Sequence, residues 1–348
     1  MQLAQSARVA NQRRLRPTPL WLLRAAGVAL VCAVLVPVVV LASSWLSPEV
    51  EIWQHLVDTQ LPRLVANTLF LMLGVGVLVS VIGVSLAWFT VMCQFPGRAA
   101  FEWLLMLPLA VPAYVMAFVV LGVFDFGGPL QTQLRELLGA GWGIDVRNRA
   151  SVIVVFSLVL YPYVYMLARS AFLSQSSETL EVARVLGCTS RQAFFRVALP
   201  MARPAIAAGV GLALMETLAD FGTVAVFNYD TFTTAIYKSW FGFFSLQAAA
   251  QLASLLLLFV GVTLFAERRS RGHGLFVQGA KLQHLRRFPL PPVLAGLVSA
   301  YCALVLAFAF VLPMLQLLDW AVGEGVSQLT SRFFALLGHS LWLAAMAA

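Results

Sequence analysis

Residues 64–93, LVANTLFLMLGVGVLVSVIGVSLAWFTVMC, decide the fold class of this chain. The stretch contains no Asp, Glu, Lys or Arg. It exceeds the roughly 20 residues that a helix needs to cross a hydrocarbon core of about 30 Å. Because lipid offers no hydrogen bonds to the backbone, a helix that satisfies its own backbone groups is the expected structure. The stretch therefore predicts a transmembrane helix.

The whole chain repeats this pattern. Of its 348 residues, 61% are hydrophobic and 11% are charged, whereas about a quarter of the residues in a soluble domain are charged. We therefore predict an all-α, polytopic membrane protein with about seven or eight spans. They are expected at Leu20–Leu46, 64–93, 101–124, 151–172, 204–227, 243–266, 291–318 and from about Phe333 to Ala348.

The first apolar stretch is expected to remain in the mature protein. It runs from Leu20 to Leu46, much longer than the apolar core of a signal peptide, which has about 7–15 residues. The last stretch, from about Phe333 to Ala348, is expected to be too short to cross a bilayer.

The distribution of basic residues predicts the topology. If the tail 1–19 lies in the cytoplasm, the inner segments are 1–19, 94–100, 173–203 and 267–290. Of the 23 Lys and Arg residues, 17 then lie in these segments or at the inner ends of the helices. This split follows the positive-inside rule and predicts a cytoplasmic N-terminus. The charges are dispersed between spans and show no nucleic-acid-binding motif, so no nucleic-acid partner is predicted. The outer basic residues are Arg63, Arg135, Arg147, Arg149, Lys238 and Arg332.

Segment 173–203 is polar but keeps a helical rhythm of apolar residues. Ser177 can cap a first short helix, and Gly187 can end it in a left-handed conformation. Thr189 and Gln192 have the spacing of a capping box, which predicts the start of a second helix.

Prolines set the expected end of this second helix. Pro200 is predicted to stop it, and Pro204 to lie in the first turn of the next span. The segment would thus form two short helices on the cytoplasmic face.

The segment contains Glu181, Ala183 and Gly187, followed by Val197, Leu199 and Pro200. Their spacing resembles the EAA loop of binding-protein-dependent ABC importer permeases. Val182 and Val197 depart from the Ala and Ile of that pattern. The resemblance implies that the loop docks onto a cytoplasmic ATPase subunit and transmits the closure of that subunit to the membrane helices. The alternative is an amphipathic helix that lies at the membrane interface. The residues that carry the resemblance, and hence the expected docking residues, are Glu181, Ala183, Gly187, Val197, Leu199 and Pro200.

Two longer stretches, LYPYVYMLARSAF at 160–172 and METLADFGTVAVFNYDTFTTAIYKSWFGFFSLQAAAQLA at 215–253, resemble the ferric-iron branch of these permeases. The resemblance implies a bacterial inner-membrane transport subunit, not an enzyme, with ATPase subunits and a periplasmic binding protein as partners. Ferric iron is the substrate that this branch implies. Thiamine and polyamine permeases are close relatives, so their substrates remain alternatives.

Members of the ferric-iron branch fuse two six-span halves, and the chain shows a weak internal repeat. Asn67-Thr68-Leu69 and His339-Ser340-Leu341 occupy similar places before an apolar stretch. The expected organisation is a cytoplasmic tail 1–19, a first permease unit 20–266, a basic linker 267–290 and the start of a second unit at 291–348. The chain is therefore expected to be incomplete as a functional permease.

Glu216 and Asp220 form a carboxylate pair in the predicted fifth span. Their spacing of four residues would place them on one helix face. Charged groups at membrane depth usually face a protein interior or an aqueous path. Two roles are therefore compatible with the pair. It lines a translocation path and attracts a cation, or it bonds to neighbouring helices and fixes their packing. The sequence favours neither role.

Three other features limit the function classes. Tyr161, Tyr163 and Tyr165 are interpreted as interfacial anchors rather than as iron ligands. The four histidines, His55, His273, His284 and His339, show no metal-ligand spacing, so no bound metal or cofactor is predicted. The phosphate-binding motif G-x-x-x-x-G-K-[ST] is absent, so ATP hydrolysis falls to a separate subunit.

Two other classes of protein, a secondary transporter and an intramembrane enzyme, are alternatives to the permease. A secondary transporter does not need the segment 173–203, and an intramembrane enzyme would need a catalytic set beside Glu216 and Asp220.

Overall fold

The computed structural model describes residues 20–47, 49–139, 143–174, 185, 187, 189–271, 287–325 and 330–347. These residues are almost entirely helical, which confirms the predicted all-α class. Within them, seven helical segments are long and apolar enough to cross a membrane. They are Arg24–Leu46, Leu61–Met92, Ala113–Leu138, Arg149–Ser174, Phe194–Ala219, Leu246–Ser270 and Pro292–Gly323.

The described helices are α1 Leu20–Ser43, α2 Val50–Thr59, α3 Leu61–Met92, α4 Arg98–Leu104, α5 Ala113–Phe124, α6 Pro129–Leu138, α7 Arg149–Ser174, α8 Ser190–Ala193, α9 Leu199–Ala219, α10 Gly222–Val226, α11 Phe232–Phe241, α12 Leu246–Arg271, α13 Pro292–Leu306, α14 Leu312–Trp320 and α15 Ser331–Ala347. Short 3₁₀ turns occur at Ser44–Leu46 and Leu107–Ala110, and π-helical turns at Phe194–Ala198, Ala307–Val311 and Ala321–Gly325. Two short strands, β1 Cys93–Gln94 and β2 Phe288–Pro289, pair in parallel.

Two of the predicted spans have different boundaries in the structure. The span expected at 101–124 is broken between α4 and α5, because Pro112 forces the preceding Val111 into an extended conformation with φ −101° and ψ 116°. The span expected at 204–227 ends at Ala219, where α9 gives way to an extended Asp220.

The predicted last stretch forms α15, Ser331–Ala347. This helix has 17 residues and buries none of its described side chains. The shortest of the seven segments that qualify as spans has 23 residues.

Helix α7 is the centre of the molecule and lies between α3 and α9. Two glycines allow this close packing. A Cβ on Gly83 of α3 would lie 2.7 Å from Val164 Cβ and 2.9 Å from the backbone nitrogen of Tyr165, and a Cβ on Gly209 of α9 would lie 2.7 Å from Val164 Cα. The two helices thus meet the backbone of α7 directly on two sides of Val164.

At one end of the bundle, four aromatic rings join segments that are distant in sequence. Trp88 lies 5.6 Å from Phe172, 4.7 Å from Phe194 and 6.3 Å from Phe288, measured between ring centroids. We call this the Trp88 end. Phe194 and Phe288 belong to the segments 173–203 and 267–290, and Gln94 of the segment 94–100 pairs with Pro289. The described parts of three segments that the charge pattern assigned to one side therefore lie at this end.

Polar contacts join the segments at the other end. Asn67 Nδ2 donates to the backbone carbonyl of Asp230 at 2.9 Å, and Lys238 Nζ lies 2.6 Å from Asp230 Oδ1. Arg147 Nη2 pairs with Asp125 Oδ2 at 2.7 Å. We call this the Asp230 end. Asn67 lies in the predicted span 64–93, and the other four residues lie between predicted spans on the side opposite the inner segments.

The last described span packs against the earlier helices. Ser85 of α3 hydrogen-bonds Tyr301 of α13 at 2.8 Å between the hydroxyl oxygens, and Ser299 Oγ donates to the carbonyl of Pro96. Further along, the Trp320 ring occupies the space that a side chain at Gly122 would fill, 2.5 Å from its Cβ position. Residues 292–323 are therefore anchored to the first six spans.

We predict that Gly83→Ala and Gly209→Ala destabilise the protein. An added methyl group would overlap the α7 backbone, and such overpacking costs about 1–3 kcal/mol. The midpoint of thermal unfolding in detergent should fall by several degrees, at roughly 2–4 °C per kcal/mol.

Gly261→Ala in α12 is the matched control, because nothing lies within 4 Å of the Cβ position there. That variant should keep or raise the midpoint, since Ala favours a helix over Gly. Equal effects of all three substitutions would contradict the close-packing argument.

Candidate functional site

Segment 173–203, which is predicted to dock onto an ATPase subunit and is called the docking segment below, is described in part. Glu181 and Ala183, together with the cap residue Ser177, lie outside the described residues. Gly187 has φ +87°, which confirms the predicted left-handed conformation. Among the described residues, none lies within 4 Å of its Cβ position. The positive φ is therefore the observed reason for glycine here.

The predicted capping box at the start of α8 is also confirmed. The Thr189 amide donates to Gln192 Oε1 at 2.9 Å, and the Gln192 amide donates to Thr189 Oγ1 at 3.3 Å. These reciprocal bonds satisfy two amides that a helix start leaves unpaired. They fix where the second part of the docking segment begins.

Pro200 does not end this helix, contrary to the prediction. The backbone stays helical from Ser190 through the π-helical turn Phe194–Ala198 into α9, and Pro204 lies inside α9. In the π turn, the Leu199 amide bonds the carbonyl of Phe194, five residues back. This wider turn accommodates a proline that has no amide hydrogen to donate. Residues 190–203 of the docking segment and the span are thus one continuous helix.

The docking segment also touches the core. Phe194 packs on Trp88 of α3 and Phe172 of α7 at the Trp88 end. Val197 and Leu199 are half-buried and pack against the same core, whereas Pro200 is exposed. A displacement of the docking segment would therefore act on α3 and α7 as well as on α9.

An ion cluster beside the docking segment was not predicted from the sequence. Glu102 Oε1 of α4 lies 2.6 Å from Arg98 Nη1 and 3.4 Å from Arg169 Nη2 of α7. Arg98 Nη1 also donates to the carbonyl of Thr90 in α3. The Arg98–Glu102 spacing of four residues was visible as an ion-pair signal, but Arg169 is far away in sequence. The cluster ties α3, α4 and α7 together.

Two tyrosines have a different role from the one predicted. Tyr161 and Tyr165 are fully buried, so they are not interfacial anchors. Tyr161 Oη donates to the carbonyl of Leu105 at 2.9 Å, and Tyr165 Oη donates to the carbonyl of Glu102 at 3.1 Å. The break between α4 and α5 leaves carbonyls without helical partners, and these hydroxyl groups satisfy them.

Glu216 and Asp220 meet at the end of α9, where the Asp220 amide donates to the Glu216 carbonyl at 3.0 Å. Glu216 lies in the last turn of α9, and Asp220 follows the end of that helix. Asp220 accepts hydrogen bonds from the Thr223 amide at 2.7 Å and from Thr223 Oγ1 at 3.1 Å. Asp220 thus joins α9 to α10. Glu216 is exposed and interacts with the half-buried Tyr163 of α7.

Residues 79–268 match the family described as "Binding-protein-dependent transport system inner membrane component". This match covers more than half of the chain. The chain belongs to this family. The docking segment, the ion cluster and both carboxylates lie within the matched residues.

Curated relatives differ in what their names say they transport. An Fe(3+)-transport system permease protein of Haemophilus influenzae is 29% identical over 214 residues, which cover 61% of this chain and 38% of the relative. A molybdate/tungstate transport system permease protein of Thermococcus kodakarensis is 24% identical, with 70% of this chain and 92% of the relative covered. A sulfate transport system permease protein of Escherichia coli is 26% identical over 62% of this chain and 78% of the relative.

The fold also resembles a solved structure. A bacterial ABC transporter involved in the import of the acidic polysaccharide alginate contains a chain with a TM-score of 0.56 and 20% sequence identity, covering 72% of this chain and 96% of that one. At this identity the similarity concerns the fold alone. It agrees with the all-α arrangement described above.

We predict that Tyr161→Phe lowers stability because it leaves the Leu105 carbonyl buried without a donor. The expected cost is about 1–3 kcal/mol, measured as a lower midpoint of thermal unfolding in detergent. Tyr114→Phe is the control, since Tyr114 is 52% exposed. An unchanged midpoint in Tyr161→Phe would show that the break between α4 and α5 does not depend on this bond.

Proposed function

We propose that the chain is the permease subunit of an ATP-driven importer and forms the substrate path across the inner membrane. The observation that carries the proposal is the docking segment, with its left-handed Gly187 and the Thr189–Gln192 capping box. Membership of the binding-protein-dependent family supports it. The partners in this proposal are cytoplasmic ATPase subunits and a periplasmic binding protein.

The continuous helix from Ser190 to Ala219 gives this proposal a mechanism. A rigid helix transmits a displacement of one end to the other, so closure of the ATPase subunits against the docking segment would move α9 directly. The contact of Phe194 with Trp88 and Phe172 would carry the same displacement into α3 and α7. Coupling requires that the docking contact differ between nucleotide states.

We predict that Gly187→Val impairs docking, whereas Gly187→Asn largely preserves it. A β-branched residue strongly disfavours a positive φ, but Asn adopts it readily. Both variants add a side chain in open space, so their difference isolates the backbone conformation. Co-purification of the ATPase subunits and substrate uptake should fall severalfold in Gly187→Val, at normal membrane insertion.

Glu181→Lys should weaken docking in the same assay, since reversal of a charge at an interface disfavours association. If Gly187→Val and Glu181→Lys both retain normal ATPase recovery and uptake, segment 173–203 is not the docking loop.

Glu216 is our proposed path residue. It is exposed in the last turn of α9, near the Asp230 end, and Tyr163 lies beside it. An exposed carboxylate at a helix end within a span attracts cations toward the path. Asp220 has a mainly structural part in this proposal, because its carboxylate oxygens accept bonds from Thr223.

Ferric iron is our proposed substrate. The Haemophilus influenzae relative is named as an Fe(3+)-transport protein, and a carboxylate suits a cation better than it suits the oxyanions that the molybdate and sulfate relatives are named for. Thiamine and polyamines are also cationic, so their transport is the alternative within this proposal.

We predict that Glu216→Gln lowers uptake of ferric iron severalfold while the complex still assembles. The substitution removes the charge and keeps the size of the side chain. Glu136→Gln on α6 is the control, since it also removes an exposed carboxylate but lies outside the proposed path. The assay is uptake of radioactive iron in cells that express the complete transport system, with molybdate and sulfate uptake measured in parallel.

Unchanged iron uptake in Glu216→Gln would remove this residue from the path. Uptake of molybdate or sulfate in place of iron would overturn the proposed substrate, without affecting the assignment of the docking segment.

The orientation and organisation are proposed together. The Trp88 end faces the cytoplasm, along with the N-terminal tail 1–19, because it gathers the segments rich in basic residues. Residues 20–266 form one permease unit, 267–290 link it onward, and 291–348 begin a second unit. The similarity of Asn67-Thr68-Leu69 to His339-Ser340-Leu341 supports this division.

A further inference from the structure

A groove opens at the Trp88 end between α9 and α12. The two helices pack side by side, with Glu267 Cγ lying 2.9 Å from the Cβ position of Gly211. Beyond that contact they leave an open groove of about 540 Å³. Its lining residues are Leu199, Pro200, Arg203, Ile206, Ala207, Arg269 and Ser270.

The groove combines positive charge with apolar walls. Arg203 and Arg269 contribute one guanidinium group from each helix, and both side chains are exposed. No ion pair is found for either of them within the described part of the chain. Leu199, Ile206 and Ala207 supply an apolar wall on the α9 side. The groove therefore suits a ligand with an anionic head and an apolar body.

The depth of the groove distinguishes between kinds of ligand. Ile206 and Ala207 follow Arg203 by three and four residues on α9, toward the part of the helix proposed to cross the membrane. An apolar wall that begins beside two arginines suits an acyl chain attached to an anionic headgroup. Arginines at the end of a span lie at the level of lipid headgroups, and a guanidinium group binds phosphate through paired hydrogen bonds.

The basic segment 272–286 is a poor occupant on grounds of charge. It follows α12 directly and contains no Asp or Glu, while it carries Lys281 and Arg286. Its positive charge would repel Arg203 and Arg269.

We propose that this groove binds one anionic phospholipid, with its phosphate between Arg203 and Arg269 and its acyl chain along Ile206 and Ala207. Basic pockets between transmembrane helices bind anionic headgroups in this way. Because Leu199 and Pro200 line the same groove, the lipid lies against the docking segment. The inference goes beyond the proposed function and uses it only for the cytoplasmic location of the Trp88 end.

The test uses the full chain purified in a mild detergent, with phosphatidylglycerol or phosphatidylcholine added at equal mole fraction. Native mass spectrometry counts the lipid molecules that stay bound. We expect the wild-type chain to retain one phosphatidylglycerol on the order of tenfold more strongly than phosphatidylcholine. The double variant Arg203→Gln/Arg269→Gln should lose this preference.

Arg268→Gln is the matched control. It removes the same charge from the neighbouring position, but Arg268 does not line the groove. It should keep the preference for phosphatidylglycerol. Thermal unfolding of the variants without added lipid checks that both are folded.

Three results would overturn the proposal. They are equal retention of both lipids by the wild type, an unchanged preference in the double variant, and an equal loss in Arg268→Gln. Recovery of the ATPase subunits, measured separately, identifies the groove as a protein contact if the double variant loses the ATPase but keeps the lipid. Failure of docking in Glu181→Lys with intact lipid retention would concern the proposed function alone.

Discussion

The close approach of α3 and α9 to the backbone of α7 is the constraint on which the rest of the structure depends. Gly83 and Gly209 leave no side chain between the helices around Val164. In a bilayer, apolar side chains gain little from leaving lipid, so helices associate through close van der Waals packing, and small residues permit it. The contacts of Trp88 with Phe172 and with Phe194 depend on the relative position of these three helices.

At the Trp88 end, α3 and α7 contact the docking segment. Trp88 and Phe172 extend from α3 and α7, and Phe194 of the docking segment packs on both. Glu102 links α4 to α7 through Arg169 at the same end. Aromatic contacts thus join the docking segment to α3 and α7, and an ion pair joins α4 to α7.

The sequence predicted features that depend on local chemistry. Long apolar stretches gave the helices, Gly187 gave a positive φ, and Thr189 with Gln192 gave a capping box. Features that depend on distant partners were missed. Tyr161 and Leu105 are 56 positions apart. Neither segment alone indicates that the Tyr161 hydroxyl donates to the Leu105 carbonyl. Pro200 misled the prediction because proline usually ends a helix, and only the wider π turn before it shows how the helix continues.

A π turn followed directly by Leu-Pro occurs at two places in the described part of the chain. Phe194–Ala198 precedes Leu199-Pro200, and Ala307–Val311 precedes Leu312-Pro313. A π turn holds one residue more than an α-helical turn, so it shifts the angular phase of everything before it relative to everything after it by about 100°. In α9, that phase decides which side chains of the docking segment face outward when the span is seated against α7. The one extra residue in the turn thus sets the direction, around the helix axis, in which the side chains before the turn point. It does so without changing how the span packs against α7.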